Sequence, residues 1–147
     1  MTKKFEARSI IICDDVRAEA GGKQMIFGLY DEEILVQSFP VVLPKLCFRI
    51  STRVYGSDPK TISFKIHGKD GQEIVNFSGP HAPDPKQSII GGYRRYGSLF
   101  AVQPCVFTAP GTFTISMGMD GPPRKVGEFY VVLPRNAEER SRLTKMA

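Results

Sequence analysis

Three stretches of this chain alternate apolar and polar residues with a period of two. That period sends successive side chains to opposite faces of a β-strand and suits no helix. In Lys45–Tyr55, Leu46, Phe48, Ile50, Thr52 and Val54 face one way, and Cys47, Arg49, Ser51, Arg53 and Tyr55 the other. Thr61–His67 puts Ile62, Phe64 and Ile66 on one side, and Thr112–Met119 does the same with Phe113, Ile115, Met117 and Met119. Such stretches predict antiparallel sheets with one face on a core and one in solvent.

The remaining segments fit around these strands. After a loose lead-in over residues 1–7, Arg8–Cys13 is apolar on both faces and predicts a central strand that Asp14-Asp15 ends. Val16–Lys23 is then a loop with a turn at Gly21-Gly22, and Gln24–Tyr30 a second strand with Met25, Phe27 and Leu29 on one face. Asp31-Glu32-Glu33 breaks the run before the short strand Ile34–Val36. Pro40 and Pro44 bracket Val41-Val42-Leu43, which reads as an extended crossover. Asp70-Gly71 marks a tight hairpin into Glu73–Phe77. Ser78–Gly92, with Pro80, Pro83 and Pro85, is the one long irregular segment. A strand over Ser98–Phe107 is interrupted at Pro104, Pro110-Gly111 suits a type II turn, and Val126–Leu133 partners Thr112–Met119. Asn136 with Glu139 makes a capping box, so residues 137–146 form a short helix or a fraying tail. About eight to nine strands without β-α-β alternation predict an all-β, two-layer antiparallel sandwich over residues 1–135.

A chain of 147 residues forms one domain and buries its core without disulfides or a metal. Cys13, Cys47 and Cys105 are an odd count without C-x-x-C spacing, which predicts buried, reduced thiols. No apolar run approaches the roughly twenty residues of a membrane span, and Ile10–Cys13 is too short for a secretory signal, so a cytoplasmic protein is expected. The net charge is +5; the first fifty residues balance and the excess lies in the remainder. That excess favours solubility and gives a weak pull towards polyanions.

The acidic residues Asp14, Asp15 and Glu19, with Asp31, Glu32 and Glu33, are the carboxylates from which a calcium site would start. The two groups fall at opposite ends of the second strand, so they read as solvated strand-end residues, and no metal or other cofactor is expected. Gly91-Gly92-Tyr93-Arg94-Arg95-Tyr96-Gly97 is the most ligand-ready stretch, since tyrosine rings stack on bases or fill protein hot spots while arginine forks onto phosphate or carboxylate. Lys60, Lys65, Lys86, Arg49 and Arg53 extend it into a basic face if the fold brings them together. His67 and His81 stand in no pattern with a nucleophile, Ser78 and Ser98 lack a G-x-S-x-G context, and GGYRRYG lacks the P-loop lysine. No residue reads as catalytic.

The run into Cys13-Asp14-Asp15-Val16, then Gly22-Lys23 and Ile26-Phe27-Gly28-Leu29-Tyr30, resembles a family of short uncharacterised proteins from bacteria and their phages. Pro110-Gly111-Thr112-Phe113 through Asp120-Gly121 to Phe129-Tyr130-Val131-Val132 is similar to the last two strands of immunoglobulin-like or C2-like sandwiches. The resemblance implies a prokaryotic or viral origin and assigns no activity or site residue. The expected function is a non-catalytic binding module that contacts a protein partner or itself, with no membrane partner. Its expected site is the 78–97 region, with Tyr93, Arg94, Arg95, Tyr96, His81 and Lys86 as contact residues. One alternative is a nucleic-acid or nucleotide binder using the Tyr93–Tyr96 run. A second is a loop-end metal or hydrolytic site built from Asp14, Asp15 and His81. Leu143 and Met146, with Leu133 before the helix, are candidates to dock on the domain or on a second copy, so self-association through this tail or an edge strand is a further expectation.

Overall fold

The alternation in Lys45–Tyr55 becomes strand β5 (Leu46–Val54), a central strand whose even-numbered side chains are all buried. A computed structural model describes residues 5–81 and 89–145 of the chain. In order, its other strands are β1 (Phe5–Ala18), β2 (Gln24–Tyr30), β3 (Glu33–Leu35), β4 (Val41–Leu43), β6 (Thr61–Gly68), β7 (Glu73–Pro80), β8 (Ile89–Ile90), β9 (Tyr93–Val102), β10 (Cys105–Phe107), β11 (Gly111–Met119) and β12 (Arg124–Val132), followed by helix α1 (Ala137–Lys145).

These strands form an all-β sandwich. One sheet has the order β2-β1-β5-β9-β8, the other β3-β12-β11-β6-β7, and β10 with β4 makes a two-stranded ribbon. Every pairing is antiparallel except β3 alongside β12. The layers meet through aromatic rings. Phe48 on β5 lies 5.6 Å from Phe64 on β6 and 5.7 Å from Phe129 on β12. Phe64 stacks on Phe100 of β9 at 4.1 Å. Because both Phe48 and Phe64 are almost wholly out of water, this cluster supplies much of the apolar burial that holds the sheets together.

The predicted strands over 45–55, 61–67 and 112–119 form where the alternation places them, with the expected residues inward. Other expectations need correction. Twelve strands appear among the described residues, beyond the eight to nine expected, because β4, β8 and β10 are too short to carry a periodic signal. Asp14 and Asp15 do not end β1, which runs from Phe5 to Ala18, since charged side chains interrupt no backbone ladder when solvent or a cation meets them. Val41–Leu43 pairs with β10 rather than crossing over alone. Gly111 opens β11 without a positive φ, so Pro110-Gly111 is not the central pair of a type II turn. Part of the irregular segment is ladder, since β7 extends to Pro80 and β8-β9 begins at Ile89; residues 82–88 lie outside the described residues.

The helix is tied down at its start. Asn136 Oδ1 accepts the Glu139 N–H at 2.9 Å, the expected N-cap. Glu139 does not close the box on Asn136; its carboxylate accepts the N–H of Arg135 at 2.8 Å. The Arg135 guanidinium bridges Glu139 and Glu33, at 2.8 and 2.7 Å from its Nη2, which joins α1 to β3.

Candidate functional site

Strand alternation divides the Tyr93–Tyr96 run between two environments. In the β5-β9 register Arg53 faces Arg95, Val54 faces Arg94, Thr52 faces Tyr96 and Ser51 faces Gly97. Tyr96 is buried, donates its hydroxyl to Asp58, and meets the His81 ring edge-on at 5.0 Å. Arg94 donates to the Gly56 carbonyl and pairs with Asp58 at 3.2 Å. Tyr96 and Arg94 therefore fasten the Gly56–Asp58 turn to the sandwich, and His81 packs against Tyr96. Lys86 lies outside the described residues.

Tyr93 and Arg95 remain on the outer face of the first sheet, where the fold adds three more arginines. Arg49 and Arg53 project from β5. Arg8 joins them from β1, at the register shift between Ala7 and Ser9, and a bulge of this kind re-aims a side chain. Arg8, Arg49, Arg53 and Arg95 ring a shallow hollow of about 400 Å³ floored by Ser51 and Gly97. A Cβ on Gly97 would sit 3.1 Å from the Arg49 guanidinium, so the missing side chain leaves the floor low. Arg53 lies over the Tyr93 ring at 4.4 Å, and Tyr55 meets that ring edge-on at 6.0 Å.

The electrostatics are one-sided. Among the described residues Glu6 pairs with the group, 2.6 Å from Arg8. Hydrogen bonding to Arg8 holds the Glu6 carboxyl below its usual range and raises the Arg8 guanidinium. Among the described residues none of Arg49, Arg53 and Arg95 is within ion-pair distance of a carboxylate. Arg49 instead donates to Ser51 Oγ at 3.0 Å and to Gln24 Oε1 at 2.5 Å.

The Gln24 contact shows where the β1-β2 hairpin goes. Gln24 pairs with Ala18, whereas Arg49 pairs with Ile11, seven residues back along β1. In a flat sheet, ~3.3 Å per residue would separate those positions by about 23 Å. The hairpin must therefore curl back over the outer face, and Gly28 supplies the bend with φ of 63°. A Cβ at Gly28 would fall 2.0 Å from Asp14 Oδ2, so the Asp14 carboxylate occupies the space a side chain would need. Tyr30 donates its hydroxyl to Asp14 at 2.6 Å, and Lys45 pairs with Asp15 at 2.7 Å. Burial and the Asp14 carboxylate together push the Tyr30 hydroxyl well above its ordinary value.

The acidic groups thus do not fall at opposite ends of a strand. Asp14 and Asp15 lie within β1, facing β2, and each has a partner inside the fold. Among the described residues no group of three or more His, Cys, Asp or Glu side chains is placed to hold a metal. Under the curled hairpin Cys13 and Cys47 face each other in register and are fully buried. Burial raises both thiols above their usual range and pushes Cys105 up to about 12. All three are free thiols.

A larger hollow of about 990 Å³ opens between the sheets beside β2, β3 and α1. Its acidic residues include Glu33 and Glu139, both engaged by Arg135. Lys60 and Lys65, expected in the basic face, belong to the second sheet's side and are not part of the arginine group. Arg8 was the member that sequence reasoning missed, because only the β1-β5 register reveals it. No helix among the described residues is long and apolar enough to cross a membrane.

No curated protein matches the chain. A family model described as a family of unknown function, DUF6941, matches residues 8–132, from the arginine at the β1 bulge to the end of β12. A match over that span of the sandwich shows that the chain belongs to this family.

Proposed function

We propose that the protein is a non-catalytic binding module, of bacterial or phage origin, whose outer sheet face takes a phosphate-bearing polyanion. The observation that carries this reading is the convergence of Arg8, Arg49, Arg53 and Arg95 around one hollow where, among the described residues, Glu6 is the one carboxylate in an ion pair with the group. Guanidinium groups match phosphate oxygens in a planar, two-pronged geometry. Clustering like charges without counter-charges costs folding stability, so such a cluster fits a surface that receives its counter-charge from outside. The origin rests on the resemblance of the Cys13–Tyr30 pattern.

Fluorescence anisotropy of a labelled oligodeoxythymidylate, titrated at several salt concentrations, tests the reading. The expected result is binding that weakens steeply with salt. Each arginine replaced should lower the slope of log K against log salt by about 0.7, the value for a single strand. Arg95→Glu should abolish most of the affinity. Binding that ignores salt, or that survives Arg95→Glu combined with Arg53→Glu, would overturn it.

A further inference from the structure

We infer that the curled β1-β2 hairpin is the second jaw of the arginine site, and that its aromatic surface makes single-stranded nucleic acid the ligand. This rests on the polyanion reading above and goes a step further, from phosphate to base.

The hairpin is an unusual place for large apolar side chains. Met25, Ile26 and Phe27 are 43, 40 and 37% exposed, and every residue from Glu19 to Leu29 lies exposed to solvent. They therefore contribute little to the core. What holds this arm near the outer face is polar instead, namely the Lys45–Asp15 pair and the Arg49–Gln24 hydrogen bond. The second contact brings the arm's end to the arginine group itself.

Each jaw carries the same device. On the sheet, the Arg53 guanidinium lies over the Tyr93 ring at 4.4 Å. On the arm, the Arg17 guanidinium lies over the Phe27 ring at 4.9 Å. A guanidinium on one face of a ring fixes its orientation and leaves the other face for a further flat group. Flat aromatic platforms beside a basic track are how proteins hold unpaired bases while arginines follow the phosphates. Paired strands hide those base faces within their own stack, so the arrangement selects a single strand. Charge complementarity between the arginines and the phosphates commits the exposed apolar arm to that occupant.

The test compares two fluorescein-labelled twelve-mers on the full chain, oligodeoxythymidylate and an abasic strand with the same number of phosphates. Phe27→Ala should weaken oligodeoxythymidylate binding about tenfold, the scale of one lost stacking contact, and leave the abasic strand unchanged. Phe27→Tyr should restore the loss. Because Phe27 is exposed, Phe27→Ala is expected to fold, and circular dichroism checks that. If Phe27→Ala weakens both strands equally or neither, while Arg95→Glu still weakens both, the arm is not a base-contacting jaw although the arginine site stands. If Arg95→Glu weakens neither strand, the underlying polyanion reading falls, and this inference with it.

Discussion

Gly28→Ala acts on the point where the hairpin leaves the plane of the sheet. Its backbone is left-handed, with φ of 63°, a conformation that costs an ordinary L-residue about 1–2 kcal/mol. The new Cβ would also lie 2.0 Å from Asp14 Oδ2 and 2.6 Å from its Cγ. Asp14 must therefore swing away and give up the 2.6 Å hydrogen bond from Tyr30. That bond is at the surface, so its loss adds only about 0.5–1 kcal/mol. The sum is about 2 kcal/mol, read as a lower midpoint in urea denaturation followed by circular dichroism. The two causes separate in a double-mutant cycle. On an Asp14→Ala background the carboxylate collision is gone and only the close contact with the residue-14 Cβ, at 3.0 Å, remains, so the cost of Gly28→Ala should fall towards the backbone share, about 1 kcal/mol. A cost below about 0.5 kcal/mol in the native background, or one that Asp14→Ala leaves untouched, would refute the account of the bend.

Two further outcomes follow from the core and the helix. Phe48→Ala removes the ring that touches Phe64 and Phe129 across the sandwich. It should cost about 3–5 kcal/mol in the same urea assay, enough to approach unfolding of an ordinary domain. Arg135 holds the Glu139 carboxyl at about 2, below its ordinary 4.5. A lowered carboxyl stabilises the native state above its unfolded value and loses that contribution as pH falls through the folded one. Protection of the α1 amides, taken relative to intrinsic exchange at each pH, should thus hold at pH 5 and fall between about pH 4 and pH 2. Glu139→Gln should remove most of that pH dependence.

What the chain's residues reveal depends on the kind of information asked of them. Leu46–Val54 and Phe113–Met119 announce both their strands and their inward faces, because a period of two survives whatever packs against it. The Asn136 cap is legible for a similar reason, since it depends on neighbours within one turn. Gln24–Tyr30 looks equally apolar yet is an exposed edge, because periodicity states which residues share a face and not what covers that face. The Tyr93–Tyr96 run was legible as chemistry but not as geometry. Its alternation sends Tyr93 and Arg95 outward and turns Arg94 and Tyr96 onto Asp58. Arg8 is more than forty residues from Arg49 in sequence and joins it only through the β1-β5 register. Long-range pairing of that sort leaves no local trace.

The cost of the arginine group gives the polyanion proposal a test in which stability and binding move in opposite directions. Arg95 stands directly opposite Arg53 in register and is exposed. Like charges facing each other across an antiparallel pair repel. If the group were scaffold, removing a member would weaken the fold. If it waits for an external counter-charge, Arg95→Gln should relieve repulsion, raising the melting temperature by about a degree or more at low salt and by less at high salt, where the charges are already screened. The same substitution should weaken oligodeoxythymidylate binding. A protein that becomes both less stable and a poorer binder after Arg95→Gln would place Arg95 among the structural residues with Arg94 and leave the hollow without its defining charge.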